Sequence, residues 1–284
     1  MEMITLNHGR KPEVMAEISL FGAHITSWKV GDDEEVLFMS SKSARDGSRP
    51  IRGGIPFCFP QFAGRGTGRF HGFARSSTKW LVDGDPATDP ATGDASVTLV
   101  LEDDEDTKAE WDRNRFALRY TITLMEEYLR MEVTVENHNR RERAFDFTAA
   151  FHTYFRVADI AEVGVAGLAD SSYVDKTRNM VHSTQMEHDL MVTGFTDRIY
   201  YQPQQIVSIY NAPMAGMKVR MARLNMPDVV VWNPWEDLAK ELEDFGDDEY
   251  KRMICVEAGA VMKPILVPAN GSAKFGMLLH VQEQ

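Results

Sequence analysis

A histidine and a glutamate in this sequence could act together as an acid and a base. His152 directly follows the run Phe145–Phe151, whose aromatic side chains alternate, so a strand there would turn the imidazole away from the aromatic face. Glu257 ends the apolar run Met253–Glu257, where partial burial would raise the pKa of its carboxyl toward that of a useful base. If the fold brings the two side chains together, they could transfer protons without a cofactor.

Both residues also have a plain structural interpretation. His152 could be a hydrogen-bonded strand histidine, and Glu257 could be a strand-end carboxylate in full contact with water. The eight histidines show no HxH or HExxH spacing, so the pattern does not support a metal site. Cys58 and Cys255 lie among apolar neighbours, and we expect both thiols to be buried and reduced.

A second feature is a basic segment in an acidic chain. The 284 residues include 43 acidic and 31 basic ones, for a formal charge of −12. Residues 47–82 contain no Asp or Glu, but they hold seven glycines and six basic residues: Arg49, Arg52, Arg65, Arg69, Arg75 and Lys79. Guanidinium forks and glycine backbone N–H groups both suit phosphate or carboxylate. The segment therefore predicts a pocket for an anionic small molecule.

Two other interpretations of the basic segment stay open. Its side chains could pair with acidic runs elsewhere, such as Glu102–Asp106 and Glu241–Glu249. The glycines of 64–68 superficially match a phosphate loop, but no strand–loop–helix pattern surrounds them and the chain has no GK[ST] sequence. The net negative charge disfavours nucleic acid or an anionic membrane as the main partner.

Short alternating runs dominate the sequence and predict an all-β fold of the sandwich or barrel type. Strands are predicted at Phe116–Leu124, Leu129–Val135, Val97–Leu101, Phe145–Phe151, Ile206–Tyr210, Met217–Met221, Val229–Trp232, Met253–Glu257 and Phe275–Val281. One helix is predicted after Asn233, with Pro234 at its first position and Gly246 at its end.

The organisation of the chain is expected to be simple. No linker or abrupt change of composition divides it, so we expect a single domain over residues 1–284. The chain has no long apolar run after a basic start and none that approaches 18 residues, which predicts a cytoplasmic protein without a membrane helix.

Several longer motifs occur together in order over roughly residues 14–280. They are RGGIPFCFPQF at 52–62, HGFARSSTKW at 71–80, FHTYF at 151–155, YVDK at 173–176, and VVVWNPW followed by MICVEAG. In this combination the chain resembles the hexose-6-phosphate mutarotases, also called glucose-6-phosphate 1-epimerases, of the aldose 1-epimerase superfamily. The resemblance implies a galactose mutarotase-like β-supersandwich with one or two short helices and no metal or organic cofactor.

The resemblance also implies roles for single residues. It makes His152 and Glu257 catalytic and assigns the substrate contacts to Arg52, His71, Arg75 and Asp175. Family members commonly have Gln before HGFAR, where this chain has Phe70, and the neighbouring Arg69 is a further candidate for contact with phosphate.

The implied reaction interconverts the α and β anomers of a hexose 6-phosphate, glucose 6-phosphate above all. We expect this small molecule to be the partner of a monomeric chain that binds neither nucleic acid nor membrane. One alternative is a mutarotase for unphosphorylated aldoses. Another is a non-catalytic protein of the same fold that binds or senses sugar phosphates.

Overall fold

The computed structural model describes residues 1–31, 34–139 and 143–284, which form 21 strands and two short α-helices. The strands, numbered β1 to β21 in chain order, span Met3–His8, Lys11–Ser19, His24–Val30, Phe57–Cys58, Leu81–Val82, Ala87–Thr88, Ala95–Glu102, Phe116–Leu124, Tyr128–Asn137, Phe145–Phe151, Tyr154–Arg156, Gly164–Ala166, Ser172–Asp175, Val181–Thr184, Asp189–Met191, Thr196–Tyr201, Ile206–Tyr210, Met217–Leu224, Asp228–Asn233, Met253–Val267 and Ser272–Glu283. Helices α1 and α2 span Glu105–Glu110 and Trp235–Glu241. Neither of these helices is long and apolar enough to cross a membrane.

Antiparallel pairing joins the described strands into three sheets. One sheet has the order β1-β2-β3. An eight-stranded sheet has the order β14-β13-β16-β19-β20-β10-β4, with β11 also paired to β20. A ten-stranded sheet has the order β15-β12-β17-β18-β21-β9-β8-β7-β5, with β6 also paired to β7. This β-rich architecture confirms the predicted galactose mutarotase-like sandwich with two short helices.

Residues 253–261, the first nine of β20, are buried on both faces, which explains why this part of its sequence is almost continuously apolar. Val256 and Ala258 pack into the main hydrophobic core. Side chains alternate along a strand, so Cys255 and Glu257 point to the opposite face. Glu257 is thereby held on a central strand, directly beside Val230 of β19 in the register of the sheet.

Aromatic rings fill the core between the two large sheets. Phe275 of β21, in the ten-stranded sheet, has its ring centroid 6.1 Å from that of Phe57, 5.6 Å from Phe147 and 6.3 Å from Phe151. The last three rings belong to β4 and β10 of the eight-stranded sheet. Phe275 is fully buried and joins the two layers.

We expect Phe275→Ala to lower the free energy of unfolding by about 3–5 kcal/mol, because it removes a buried ring and leaves a cavity. Urea denaturation of the variant and the wild type measures the difference. Lys274→Ala is a matched control on the same strand, since its ammonium forms an exposed ion pair 2.8 Å from Glu132. The control should change stability by about 0.5 kcal/mol or less. A loss below 1 kcal/mol in Phe275→Ala would contradict this description of the core.

The helix predicted after Asn233 is present, but it begins at Trp235 rather than at Pro234 and ends earlier than predicted. Pro234 occupies the capping position without a side-chain cap, and the Asn233 side-chain oxygen accepts a hydrogen bond from the Trp235 N–H at 2.9 Å in the turn before the helix. The helix stops at Glu241 rather than near Gly246. The chain turns at this point so that Phe245 can pack against Phe38, with ring centroids 5.7 Å apart.

Helix α1 was not predicted, because it is only six residues long and its first two residues belong to the acidic run Glu102–Asp106, which has no apolar periodicity. The Asp104 side chain accepts a hydrogen bond from the Thr107 N–H at 2.8 Å. The Thr107 hydroxyl contacts the Asp104 N–H at the same distance, which completes a reciprocal cap. The cap begins a single short helix at Glu105.

Candidate active site

His152 and Glu257 lie side by side in the structure. The His152 Nε2 atom is 3.5 Å from Glu257 Oε1, and the two side chains are 12% and 1% exposed. The register of β10 against β20 explains the contact. Phe151, the last residue of β10, pairs with Ala258, and the next residue in the chain, His152, therefore lies level with Glu257. Phe151 points into the core. The imidazole of His152 therefore points to the other side of the sheet.

His152 opens onto a cavity of about 170 Å³. The polar side chains that line it with His152 are Arg52, His71, Arg75, Tyr154 and Asp244. Phe70 lies at its rim and is 60% exposed. Glu257 is not among the lining residues and lies behind the imidazole. The cavity therefore brings together three of the four predicted substrate contacts with the predicted acid, and the predicted base lies directly behind that acid.

A larger cavity of about 770 Å³ lies elsewhere and contains none of the predicted site residues. Its one deeply placed carboxylate, Glu35, is occupied by backbone N–H groups of Trp28 and Leu37 at 3.0 and 2.9 Å. Of these two cavities the smaller is chemically the better candidate, because His152 contacts Glu257 there beside Arg75, whose Nε has no acceptor among the described residues.

Arg52 is held in place by two polar side chains. Its Nε donates to Asp244 Oδ1 at 3.1 Å, and its Nη1 donates to the Tyr154 hydroxyl at 3.0 Å. Asp244 reaches Arg52 because α2 ends early and the chain turns back. The charge of Arg52 is thus partly compensated within the protein.

Arg75 differs from Arg52 because it has no carboxylate partner among the described residues. Its Nη2 donates only to the Phe70 carbonyl at 3.0 Å, and its buried Nε has no acceptor within that part of the chain. Burial lowers the pKa of Arg75 from its ordinary value, but an arginine stays charged at neutral pH. Arg75 is therefore a cation positioned to receive an anion from the cavity.

His71 is fixed as a neutral hydrogen-bond donor. The Ala63 N–H donates to His71 Nδ1 at 3.2 Å, so the proton of the neutral ring resides on Nε2. Burial, with the charges of His152 and Arg75, lowers the pKa of His71 far below its ordinary value. The following residue, Gly72, has φ +70°, and a Cβ there would lie 2.1 Å from a backbone oxygen. Only glycine allows the chain to turn this closely beside the site.

The catalytic candidates are strongly perturbed by their surroundings. Burial, followed by the charges of Arg52 and Arg75, lowers the pKa of His152 to about 3. Burial raises the pKa of Glu257 well above its ordinary value, the carboxylate of Asp197 raises it further, and Lys176 opposes the shift. Without a ligand, the pair is therefore biased toward a neutral imidazole and a protonated carboxyl. Such perturbation is typical of functional sites.

Three buried polar atoms in and beside this cavity lack hydrogen-bond partners among the described residues. They are His152 Nδ1, Glu257 Oε2 and Arg75 Nε. An unpaired buried polar atom costs about 1–3 kcal/mol. The site therefore keeps unused hydrogen-bonding capacity on the predicted acid, the predicted base and one predicted substrate contact.

Two of the residue assignments drawn from the resemblance lie away from the cavity. Arg69 is exposed on the surface, where its Nη2 donates to Glu110 Oε2 at 2.6 Å. Asp175 accepts hydrogen bonds from the Thr177 N–H and hydroxyl at 3.0 and 2.6 Å, which begins a 3₁₀ helix at 176–178. The other oxygen of Asp175 lies 3.7 Å from Arg198 Nε. Neither side chain lines the cavity, and their roles as substrate contacts stay predictions.

Lys176 and Asp197 are functional candidates that sequence reasoning missed. They form an ion pair at 2.6 Å, and both influence the pKa of Glu257. In the register of the sheet, Asp197 of β16 lies beside Trp232 of β19, and Trp232 lies beside Cys255 of β20. The side chain of Asp197 is therefore on the same face of the sheet as Glu257. The sequence of β16 does not alternate clearly, and the role of Asp197 depends on which strand lies beside it.

Most of the basic segment pairs with acidic residues, as one of the open interpretations held. Ion pairs link Arg49 to Glu243 at 3.5 Å, Arg52 to Asp244 at 3.1 Å and Lys79 to Asp106 at 3.0 Å. Arg69 pairs with Glu110. The composition of the segment therefore overstated the cationic pocket, which in the structure consists of Arg75 and the partly compensated Arg52.

Buried His24 lies beneath the site and makes the stability of the protein depend on pH. Its Nε2 contacts the Gly53 oxygen at 2.8 Å, next to Arg52, and burial lowers its pKa to about 4. The unfolded chain binds a proton at this histidine near its ordinary pKa of about 6.5. The stability that depends on neutral His24 is thus complete above about pH 6.5 and is lost progressively as the pH falls toward 4.

We expect His24→Gln to remove this part of the acid sensitivity, because glutamine can keep a donor to the Gly53 oxygen but cannot titrate. For the wild type, His24 alone accounts for a loss of roughly 2 kcal/mol between pH 7 and pH 5. The raised pKa of Glu257 acts in the opposite direction in both proteins and cancels in the comparison. Urea denaturation at both pH values measures the difference. Equal pH dependence in the two proteins would contradict the buried neutral histidine.

Almost the whole length of the sequence matches a known protein family. A model of the aldose 1-epimerase family matches residues 2–280. The chain belongs to the aldose 1-epimerase family. It is therefore an isomerase of the epimerase type.

Individual members of the aldose 1-epimerase family show how close the relation is. A protein of Cenchrus ciliaris named "putative glucose-6-phosphate 1-epimerase" is 38% identical over 268 residues, which cover 93% of this chain and 80% of that protein. A protein of Escherichia coli K12 with the same name is 33% identical over 289 residues, covering 100% and 92%. The crystal structure of YeaD from Salmonella typhimurium, a "putative mutarotase", matches with a TM-score of 0.85 at 28% identity, covering 99% and 90%.

Proposed function

We propose that this member of the aldose 1-epimerase family interconverts the α and β anomers of hexose 6-phosphates, with glucose 6-phosphate as the main substrate. The observation that carries the proposal is a cavity lined by His152 and Arg75, with Glu257 3.5 Å behind the imidazole and with Arg75 lacking a carboxylate partner among the described residues. The names of the relatives from Cenchrus ciliaris and Escherichia coli point to the same substrate.

The proposed reaction opens and recloses the sugar ring. Glu257, as a carboxylate, takes the proton of the C1 hydroxyl, and the electrons of that O–H bond form the aldehyde C=O. The C1–O5 bond breaks, its electron pair goes to O5, and protonated His152 donates a proton to that oxygen. The aldehyde turns about the C1–C2 bond, and closure on its other face returns both protons. Each positioned acid or base typically contributes about 10²–10⁴-fold in rate.

Arg75, Arg52 and His71 would bind the substrate and orient it in the cavity. The guanidinium groups of Arg75 and Arg52 would hold the phosphate in charge-assisted hydrogen bonds. His71 Nε2–H would donate to a sugar or phosphate oxygen. This arrangement fixes O5 and C1 relative to the acid and base, which is the main benefit of holding the distal part of a substrate.

The two alternatives make different demands on this cavity. A mutarotase for unphosphorylated aldoses needs the His152–Glu257 pair but gives no reason to bury an arginine without a carboxylate partner. A non-catalytic sugar-phosphate-binding protein needs Arg75 but gives no reason to place a histidine against a buried glutamate. The combination favours the hexose-6-phosphate enzyme.

Exchange between anomers, measured by NMR on glucose 6-phosphate and glucose in parallel, tests the proposal. We expect the protein to accelerate exchange of glucose 6-phosphate far more than that of glucose. Acceleration of glucose alone would favour the mutarotase for unphosphorylated aldoses. Binding of glucose 6-phosphate without any acceleration would favour the binding protein.

A further inference from the structure

We propose that a dianion held by Arg75 and Arg52 switches the His152–Glu257 pair into its reactive ion-pair form, so that a free dianion activates the protein toward unphosphorylated aldoses. The inference rests on the proposed function and deepens it. The phosphate would then serve as an activator of the catalytic pair as well as an anchor for the substrate.

The cavity places the two arginines close to the catalytic pair, and this is the first support for the proposal. Arg52, Arg75, His71 and His152 line the same space of about 170 Å³, and Glu257 lies 3.5 Å behind the imidazole. In a hexose 6-phosphate, the phosphorus is only four bonds from the ring oxygen O5. A phosphate that reaches the arginines while O5 faces His152 must therefore lie close to the imidazole.

The second support is the charge that surrounds His152. Arg52, Arg75 and Lys176 are positive, and all three disfavour the imidazolium. Asp244 compensates part of the charge of Arg52, and Asp197 pairs with Lys176. Neutral His71 and the Tyr154 hydroxyl, whose pKa burial raises above its ordinary value, add no compensating charge. Arg75 is the positive charge that the described part of the protein leaves uncompensated.

A dianion reverses this balance. Its two negative charges offset Arg75 and the remaining charge of Arg52, so the imidazolium becomes more favourable in a site with few competing dipoles. The proton of the Glu257 carboxyl can then move across the 3.5 Å contact to His152 Nε2. The products of that transfer are a carboxylate base and an imidazolium acid, the forms that ring opening requires. No proton enters or leaves the site in this step.

The proposal is tested by supplying the sugar and the dianion as two separate molecules. Anomer exchange of glucose is measured by NMR with the wild-type protein and increasing inorganic phosphite, after subtraction of exchange in phosphite without protein. We expect saturable activation of at least tenfold. Sulfate should activate in the same direction, because it carries the same charge but cannot accept or donate protons at neutral pH.

Two variants distinguish activation at Arg75 from a general effect of salt. Arg75→Met removes the charge and keeps most of the side-chain stem, so activation by phosphite should disappear. Arg75→Lys keeps the charge and should keep part of the activation. A role for Arg75 in anchoring alone would leave the glucose reaction unchanged by either anion.

The outcomes separate this proposal from the proposed function. Wild-type protein that accelerates glucose 6-phosphate but shows no phosphite activation of glucose would overturn the switch and leave the proposed function intact. Equal activation in the wild type and Arg75→Met would also overturn it. Failure to accelerate glucose 6-phosphate at all would overturn the proposed function itself.

Discussion

Replacement of His152 by Asn or Glu257 by Gln is expected to lower the rate of anomer exchange of glucose 6-phosphate by about 10²–10⁴-fold while the protein stays folded. Each variant keeps the approximate size of the side chain but removes the ability to transfer a proton. Because the two groups lie 3.5 Å apart and act in one step, the double variant should be little slower than either single variant. NMR exchange rates at saturating substrate measure the effect.

The control for this experiment is a histidine outside the cavity. His188 is 87% exposed and contacts only Asp189 at 2.8 Å among the described residues. His188→Asn should keep the wild-type exchange rate to within about twofold. Thermal unfolding and near-UV circular dichroism establish that all variants are folded. Full activity in folded His152→Asn or Glu257→Gln would remove that residue from its catalytic role.

Replacement of Arg75 by Met is expected to raise the KM for glucose 6-phosphate by about 10–100-fold, with a much smaller effect on kcat. The variant removes charge-assisted hydrogen bonds to the phosphate, each worth about 1.5–3 kcal/mol. It leaves the His152–Glu257 contact in place. The concentration dependence of the NMR exchange rate separates KM from kcat.

Arg69→Met is the matched control, because it removes the same guanidinium from a neighbouring position. In the structure Arg69 pairs with Glu110 on the surface and does not line the cavity. Its KM should therefore stay within about twofold of the wild type. A larger increase in Arg69→Met than in Arg75→Met would show that the phosphate lies outside the cavity and would restore the role that the resemblance gave to Arg69.

The strands were predictable where the alternation of apolar side chains is strong. Phe116–Leu124 and Phe145–Phe151 have the predicted bounds, since one face of each is aromatic or aliphatic and enters the core. The strand Lys11–Ser19 was not predicted, although its Val14, Ala16 and Ile18 are buried in alternation. The small side chain of alanine weakens that signal in the sequence.

The site itself depends on contacts that local sequence does not specify. The alternation in β10 predicted that His152 would point away from the core, but its contact with Glu257 arises from the register of β10 against β20. Asp175 was favoured over its neighbour Lys176, yet Asp175 begins a 3₁₀ helix while Lys176 reaches Asp197. The pairing of Arg52 with Asp244 depends on where α2 ends. Each of these outcomes is set by packing between segments that are distant in the chain.

We propose that the protein catalyses anomer exchange of a hexose 6-phosphate in the cavity lined by His152, with Glu257 behind it. The most direct test is two-dimensional exchange NMR of equilibrated glucose 6-phosphate at equal concentrations of wild-type protein and His152→Asn. We expect α–β exchange above the spontaneous rate that rises in proportion to wild-type protein, and only the spontaneous rate with His152→Asn. Equal exchange with both proteins, or no excess with the wild type, would contradict the account.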